Sequence, residues 1–486
     1  MARPGLEVTV SDAPPSRSLP TDTSRLFIVD FAQKGDHTTP IRLTGPADAA
    51  AKIGDRVSYS YARDAMDVYG AEAYFARVVG PAPVAATAAL AGTSGTTLNV
   101  TAKSVGDWGN GATGGLSVEV ANGPSGATHR VLIIRLNGVE VERTPEYNSR
   151  DSFVTWSQAS SYVTITAGAG TGLPTVAAAA NLAGGTDDRS NATDTHWKAA
   201  VDRFQKELGP GQVAMLGRTT SQAHTDLLAH AQANNRVAIL DGPNTLAKAT
   251  LTSAVNAVRT LAAARYGGLF APWVSYPGLA PGTTRTLPPS MFVAAKIAEV
   301  DPVEGPNQPA AGRWGRLEGA LGVAATGSLT DLDYQDLNEL GVNMIRVRLG
   351  VPTIFGWRTL ADKDDFPLRW KLSNQRLEML IIAESQDAGE DFIFRQIDGQ
   401  GITLAGFGSA IGNRLNQMYV DGWLFPDPDD PRPETAFYVD TSSAVNTEQT
   451  IADGQLIADV AYRPSSFAEL VKVRIVVVPI GTPITV

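Results

Sequence analysis

Five histidines, His37, His129, His196, His224 and His230, and not one cysteine are all the imidazole and thiol chemistry that this 486-residue chain offers. The missing cysteine excludes disulfides, thiolate metal sites, iron–sulfur clusters and thiol nucleophiles together. His224 and His230 lie six apart on a segment of helical character. A helical metal pair needs i, i+4 spacing, so these two rings fall on different faces and no metal ligands are expected. Asp241 ends an apolar run and precedes Gly242, a place where catalytic acids of α/β folds lie. No histidine follows it, so an Asp-His-Ser order starting there is impossible, and no Gly-x-Ser-x-Gly elbow occurs elsewhere. Asp241 is expected instead to cap a helix opening at Pro243, its carboxylate accepting from free backbone N–H groups.

Other candidates end the same way. Gly168, Gly170 and Gly172 imitate part of a phosphate loop, but Leu173 and Pro174 follow where a Lys-Ser/Thr pair should stand, and a flexible linker is expected. Asp427, Asp429 and Asp430 resemble the start of a calcium loop, yet Pro428, Pro431 and Pro433 interrupt it and the turn glycine is missing, which predicts an exposed acidic turn. Asp331, Asp333 and Asp336 read as first-turn charges favoured by a helix dipole. No catalytic, cofactor-binding or metal-ligating residue is expected, and the chain reads as a non-enzyme.

Composition narrows the partners. Forty basic against fifty acidic side chains give a net charge of -10, a field that opposes nucleic acid and anionic lipid. With 43% apolar and 19% charged residues the chain is an ordinary globular one. Its longest apolar runs, within 471–480, fall well short of the roughly 20 residues that span a bilayer. The first ten residues, with Arg3, Pro4, Gly5 and Glu7, lack the apolar core of a signal peptide.

The elements that must position anything functional follow from periodicity. An extended arm over 1–25 holds Leu6, Val8 and Val10 alternating with polar residues, followed by Pro14, Pro15 and Pro20. A first part of the core covers 26–84, with a short buried strand at 26–32 and helical periodicity over 62–77. An all-β insertion, barrel or sandwich, covers 85–188, with strand-like runs at 116–120, 131–136, 139–141, 153–156 and 162–166 and flexible Gly/Ala-rich edges at 85–95 and 168–185. Over 189–341, helices at 194–208, 222–234, 243–265 and 289–300 alternate with strands at 213–216, 237–240 and 269–274. That alternation predicts a doubly wound parallel α/β sheet with helices on both faces. A mixed α+β domain covers 342–470, with strands at 342–349 and 353–357 and helices at 374–388 and 405–420. A terminal strand arm over 471–486 alternates Val471, Val473, Ile475 and Val477 with Lys472, Arg474, Val476 and Val478.

Both ends are therefore strands in need of a ladder, their own or a neighbour's, because an isolated strand leaves its backbone groups unpaired. Pairing between copies would polymerise the chain by β-augmentation. Charge is also unevenly spread: nine acids and one base between Asp421 and Asp459, and seven bases against three acids between Val342 and Arg376. Such patches suit contacts between like subunits.

In shared order, several motifs resemble those of the contractile tail sheath family of phages and contractile injection systems. They are Pro4-Gly5-Leu6-Glu7-Val8, Gly106-Asp107-Trp108-Gly109-Asn110, Leu182 to Asp187, Gly341 to Arg346 with Phe355 to Leu360, and Ala436-Phe437-Tyr438-Val439 with Gly454, Arg463-Pro464 and Phe467. The resemblance implies a subtilisin-like α/β core without its triad, and stacked hexameric rings of this chain around a tail tube that contract to drive the tube through an envelope. It implies tail tube, baseplate and tail terminator proteins as partners, and a virion tail assembled in a host cytoplasm or a cytoplasmic injection particle as the location. Leu6, Val8, Val10, Val471, Val473, Ile475 and Val477 are the expected intersubunit strand contacts, and Asn413 and Arg414 on the 405–420 helix are candidates for tube contact. An inactive α/β-hydrolase relative or a monomeric surface-binding protein are the alternatives.

Overall fold

The computed structural model describes residues 22–469 and Lys472, and divides between Ala383 and Glu384 into two compact units. Both expected terminal strand arms lie outside the described residues.

The first unit opens with β1 (Leu26–Asp30), β2 (Ile41–Leu43), α1 (Pro46–Ile53), α2 (Ala62–Tyr69) and β3 (Ala73–Arg77). One helical period over 62–77 is not what forms. Gly70, at φ +70°, closes α2 by donating to the Met66 carbonyl at 2.9 Å, a left-handed cap suited to glycine. The chain then turns into a strand of the main sheet.

The insertion follows as β4 (Thr87–Gly92), β5 (Gly95–Ala102), β6 (Leu116–Gly123), β7 (Gly126–Leu136), β8 (Val139–Arg143), α3 (Arg150–Trp156), β9 (Val163–Ala167) and β10 (Ala177–Asn181). Two sheets, β10-β6-β7-β8 and β4-β5-β9, share one core that includes Leu90, Val100, Val118, Ile134 and Ile165. The run 153–156 is helical, not a strand: Ser149 Oγ accepts from Asp151 N at 3.3 Å to start α3, and Phe153 fills the core. The Gly/Ala-rich edges are not linkers either. They supply β4 and β10, and Gly168 and Gly170 donate to the Thr97 and Thr96 carbonyls at 2.8 and 2.7 Å while Arg150 bonds both glycine carbonyls.

The neck of the insertion is narrow. Val84 pairs with Thr186 and Thr87 with Ala183, Arg189 bridges Asp187 and Asp107 at 2.8 and 3.1 Å, and buried Arg77 donates to the Val105 carbonyl at 2.9 Å. Excising 87–183 and closing the neck with a short turn removes that last bond, the Asp107 contact, the Gly35 N to Ser104 Oγ bond at 3.1 Å, the two bonds between Asn110 and Gly185, and the Trp108 and Tyr162 rings near Lys34. Cooperative urea unfolding with a loss of at least about 1.5–3 kcal/mol is expected, the range for a single charged hydrogen bond; a core that no longer unfolds cooperatively would show the insertion to be integral.

The rest of the unit runs α4 (Asp194–Val201), β11 (Gln212–Met215), α5 (Ser221–Ala233), β12 (Val237–Asp241), α6 (Lys248–Asn256), β13 (Gly267–Ala271), β14 (Val274–Pro277), β15 (Thr284–Leu287), α7 (Pro289–Glu304), β16 (Gly322–Val323), α8 (Asp331–Glu339), β17 (Val342–Arg348), β18 (Val351–Ile354) and the first part of α9 (Leu372–Glu390), whose last residues from Glu384 belong to the second unit. The helix expected from Pro243 starts only at Lys248. Asn244 Oδ1 accepts from Trp273 N, and Trp273 Nε1 donates to the Gly242 carbonyl at 2.9 Å, so the intervening residues are held as a loop. The strand expected over 269–274 breaks at Pro272, and β14 joins β15 and β16 in a separate small sheet.

The main sheet has the order β18-β17-β13-β12-β11-β1-β3-β2, parallel from β3 to β17 with antiparallel edges β2 and β18. Its unbroken apolar strands are explained by burial on both faces. In β1, Leu26 and Ile28 enter a core with residues of α1, α2 and α7. Phe27 and Val29 enter a second core with residues of α4, α5, α6 and α8. At about 1.5–3 kcal/mol for each fully buried large side chain, this two-sided packing dominates the unit's stability.

The second unit contains α10 (Ile402–Val420), β19 (Phe437–Asp440), α11 (Glu448–Ala452) and β20 (Asp459–Tyr462). The helix expected from 405 begins one turn earlier because Asp398 accepts from Ile402 N, Thr403 N and Thr403 Oγ1 at 3.0, 2.7 and 2.8 Å. Those bonds hold its carboxyl well below the usual carboxylate range. Strands β19 and β20 pair antiparallel, and buried Asn446 ties their connection together through the Thr441 and Ile457 carbonyls at 3.1 and 2.7 Å.

Candidate assembly surfaces

The C-terminal ends of the parallel strands, where catalysis is sought first in such sheets, are occupied by two buried aspartates. Asp241 does not cap a helix opening at Pro243. It accepts from Gly217 N at 2.9 Å and from Ser290 N and Ser290 Oγ at 2.8 Å each, so it caps α7 and fastens that helix to the loop after β11. Burial pushes its carboxyl up to about 7 against these three donors. Asp30, at the end of β1, accepts from Phe31 N, Tyr61 N and Ser60 Oγ at 2.7, 2.6 and 3.1 Å, and burial likewise pushes it up to about 7. Both carboxylates are spent on backbone and hydroxyl donors that hold loops in place.

The histidines are packed side chains. His224 Nε2 lies 3.0 Å from the Asp241 carbonyl and His230 Nε2 lies 2.8 Å from buried Arg236; burial lowers both rings, His230 to about 3. Asp333 forms a capping box with Thr330, Lys248 bridges Asp333 and Asp336 at 3.0 and 2.5 Å, and Asp331 pairs with Arg346 at 2.8 Å. In the acidic turn Asp430 is held by Arg432 at 2.6 Å. No group of three or more metal-ligating side chains occurs among the described residues, and no helix there is long and apolar enough to cross a membrane.

The two charged stretches differ in kind. In the positive one, Arg376 is buried against Asp301, Arg358 is buried with its guanidinium 3.7 Å from the Trp370 ring centre, and Arg369 pairs with Glu378 at 3.3 Å. Two of its seven bases, Arg358 and Arg376, are thus internal. The negative stretch faces solvent: Asp421, Asp429, Glu434, Glu448, Asp453 and Asp459 are all exposed.

Of the tube-contact candidates, Asn413 is exposed on α10, while Arg414 reaches Glu384 at 3.2 Å and Asp387 at 2.9 Å at the end of α9. The expected strand contacts at the two ends lie outside the described residues. Strands β19 and β20 stand as a pair with no third strand among the described residues, and nothing in the local sequence announces their pairing across 18 intervening residues.

No protein-family model matches the chain, and no curated protein does. Solved structures do. A sheath tail protein from Listeria innocua aligns with a TM-score of 0.61 at 15% identity, over 88% of this chain and 90% of that one. A sheath tail protein from Desulfitobacterium hafniense aligns at 0.58 and 15% identity over 90% and 93%. The sheath complex of an extracellular contractile injection system in its contracted state aligns at 0.56 and 15% identity over 98% of both chains.

The chain has the contractile sheath fold.

That likeness spans both units, the insertion and the two-stranded sheet. In the sheath fold of this chain, the strand ends that would carry a hydrolase's acids instead hold Asp30 and Asp241 as loop anchors. Sequence reading missed Asp30, Ser290 and the β19–β20 pair, because each acts through a partner distant in the chain.

Proposed function

We propose that this chain is the structural subunit of a contractile sheath, polymerising as stacked hexameric rings around a tail tube and contracting to drive that tube through a cell envelope. What carries the reading is the extent of the likeness to sheath chains, 98% of both aligned chains for the contracted assembly, together with a sheet that has only two strands among the described residues. The core is read as subtilisin-like with its catalytic positions given over to structure. Contraction needs no cofactor in this reading: two packings of one subunit differ in free energy, and the change passes from ring to ring. Leu6, Val8 and Val10 at one end and Val471, Val473, Ile475 and Val477 at the other are the donated strands, with main-chain bonds giving affinity and alternate side chains giving register. The tube, baseplate and terminator proteins are the other partners, in a virion tail or an injection particle.

Negative-stain imaging of the purified protein tests this. Hollow tubes with helical striation are expected, and a single-subunit sedimentation profile at high concentration would favour the surface-binding alternative. For tube contact, Arg414→Ala is informative because its two ion pairs are half-exposed and worth at most about 1 kcal/mol to the fold. A folded variant whose empty tubes form normally but whose co-assembly with tube protein drops at least about tenfold, 1.4 kcal/mol, places Arg414 at the tube. Unchanged co-assembly removes it.

A further inference from the structure

The β17–β18 hairpin closes through a two-residue turn, Leu349-Gly350, between the paired residues Arg348 and Val351. Both turn residues have positive φ, +50° and +79°, the pattern of a type I′ hairpin turn. Glycine adopts it freely, whereas a β-carbon makes it unfavourable for leucine. Leu349 is also 96% exposed, so its side chain returns no packing to the fold, and Val347 is 52% exposed. The stem is fixed. Leu317 N donates to the Pro352 carbonyl at 2.8 Å and Ile354 N to the Gly315 carbonyl at 2.9 Å along the outer edge of β18, and Ile345 and Ile354 are buried. A rigid stem thus presents an apolar tip to solvent.

Arg348 completes the tip. Arg346 is used within the unit: its guanidinium lies 3.7 Å from the Tyr334 ring centre and reaches Asp331 at 2.8 Å. Arg348 lies 4.2 Å from the Phe355 ring centre, is exposed and pairs with no carboxylate among the described residues. A ring behind a guanidinium steadies its plane and leaves the N–H edges free for a carboxylate. The second unit carries the complementary pattern. Val420 and Phe425 are 67% and 48% exposed among exposed Asp421, Asp429 and Glu434, and Tyr419 Oη ties the acidic turn to the end of α10 by donating to the Pro431 carbonyl at 2.9 Å. The bases of that surface are already engaged, Arg432 by Asp430 at 2.6 Å and Arg463 by Asp427 at 3.8 Å.

We propose that the hairpin tip of one copy docks on this acidic surface of a second copy, with Val347 and Leu349 against Val420 and Phe425 and with Arg348 facing Asp421, Asp429 and Glu434. The choice of a second copy rests on the sheath reading; the match between the two surfaces does not. Apolar burial gives the contact its affinity, and the opposite charges select which surfaces meet. Neither terminal segment takes part. The unfavourable turn conformation of Leu349 is then offset at the contact, in keeping with the clustering of such residues at binding sites.

The test uses full-length protein, with tube yield read by sedimentation and electron microscopy at low and high salt and thermal unfolding as the folding control. Leu349→Gly relieves the turn, so the thermal midpoint stays or rises while tube yield falls; a leucine needed only by the fold would give a lower midpoint. Arg348→Glu and the pair Asp421→Lys with Asp429→Lys reverse the charge on one side each. Each reversal alone is expected to cut yield at least about tenfold at low salt, and an equal mixture of the two proteins to return to within about threefold of wild type, since tenfold in an equilibrium is about 1.4 kcal/mol. The losses shrink as salt screens the repulsion. The mixture rescues only a contact between copies, because each reversed hairpin then meets a reversed surface on the other protein. All the reversals in one chain rescue a contact within or between copies. Variants that assemble like wild type overturn the docking, and rescue in the one chain without rescue in the mixture overturns the second copy. A wild-type chain that stays a single subunit overturns the sheath reading and this contact together.

Discussion

A chain lacking residues 1–20 folds with an unchanged thermal midpoint and forms no tubes. Among the described residues, the first contacts with the body lie after the cut: Thr23 Oγ1 to Asp301 at 3.1 Å, and the Ser24 carbonyl accepting from Tyr69 Oη at 2.8 Å and Gln212 Nε2 at 2.9 Å. Every residue of the β1 ladder is downstream, so the core keeps its packing. In the proposed sheath, what is lost is one donated strand per subunit. At 0.5–1.5 kcal/mol net per hydrogen bond, a strand of about four bonds contributes roughly 2–6 kcal/mol, a factor of about 30 to 30,000 at each link. Because every subunit in a helical array makes that link, the loss recurs along the whole tube. Sedimentation and electron microscopy check the outcome, and long tubes from the shortened chain would refute it.

Asp241→Ala is expected to destabilise the first unit by about 3–5 kcal/mol in urea unfolding. Gly217 N, Ser290 N and Ser290 Oγ lose their shared acceptor where water cannot replace it, and each stranded buried donor costs about 1–3 kcal/mol. Asp241→Asn keeps the volume and isolates the titration. The carboxyl's folded value of about 7 lies above its unfolded value of about 3.9, so the folded state binds the extra proton between them. Wild-type stability relative to Asp241→Asn therefore falls as pH rises from about 4 to about 7 and is flat above that. A rise over the same interval would mean that the three donors outweigh burial.

The sequence made legible what depends on neighbours in the chain. The continuous apolar run at 26–29 and the alternation of strands and helices after 189 announced a parallel sheet covered on both faces, because two-sided burial leaves its mark in each strand. Where a distant partner decides, the local pattern misled. The period over 62–77 carries no sign that Ala73–Arg77 is needed between β1 and β2. Pro243 looks like a helix start until Trp273 holds the loop open. Phe153–Trp156 has strand-like residues, but Ser149 nucleates a helix there. Asp241 reads as a cap for a helix at Pro243, but the helix whose N–H it accepts begins 48 residues later at Pro289.

The position of β1 has a mechanical consequence. It is the first strand among the described residues, and it lies in the interior of the sheet with parallel neighbours on both sides, β3 and β11. Tension applied at its N-terminal end along its own axis would load both flanking ladders in shear, so they must rupture nearly together. An edge strand under the same force would unzip one bond at a time. In the proposed sheath, a pull on β1 is thus borne by two ladders at once.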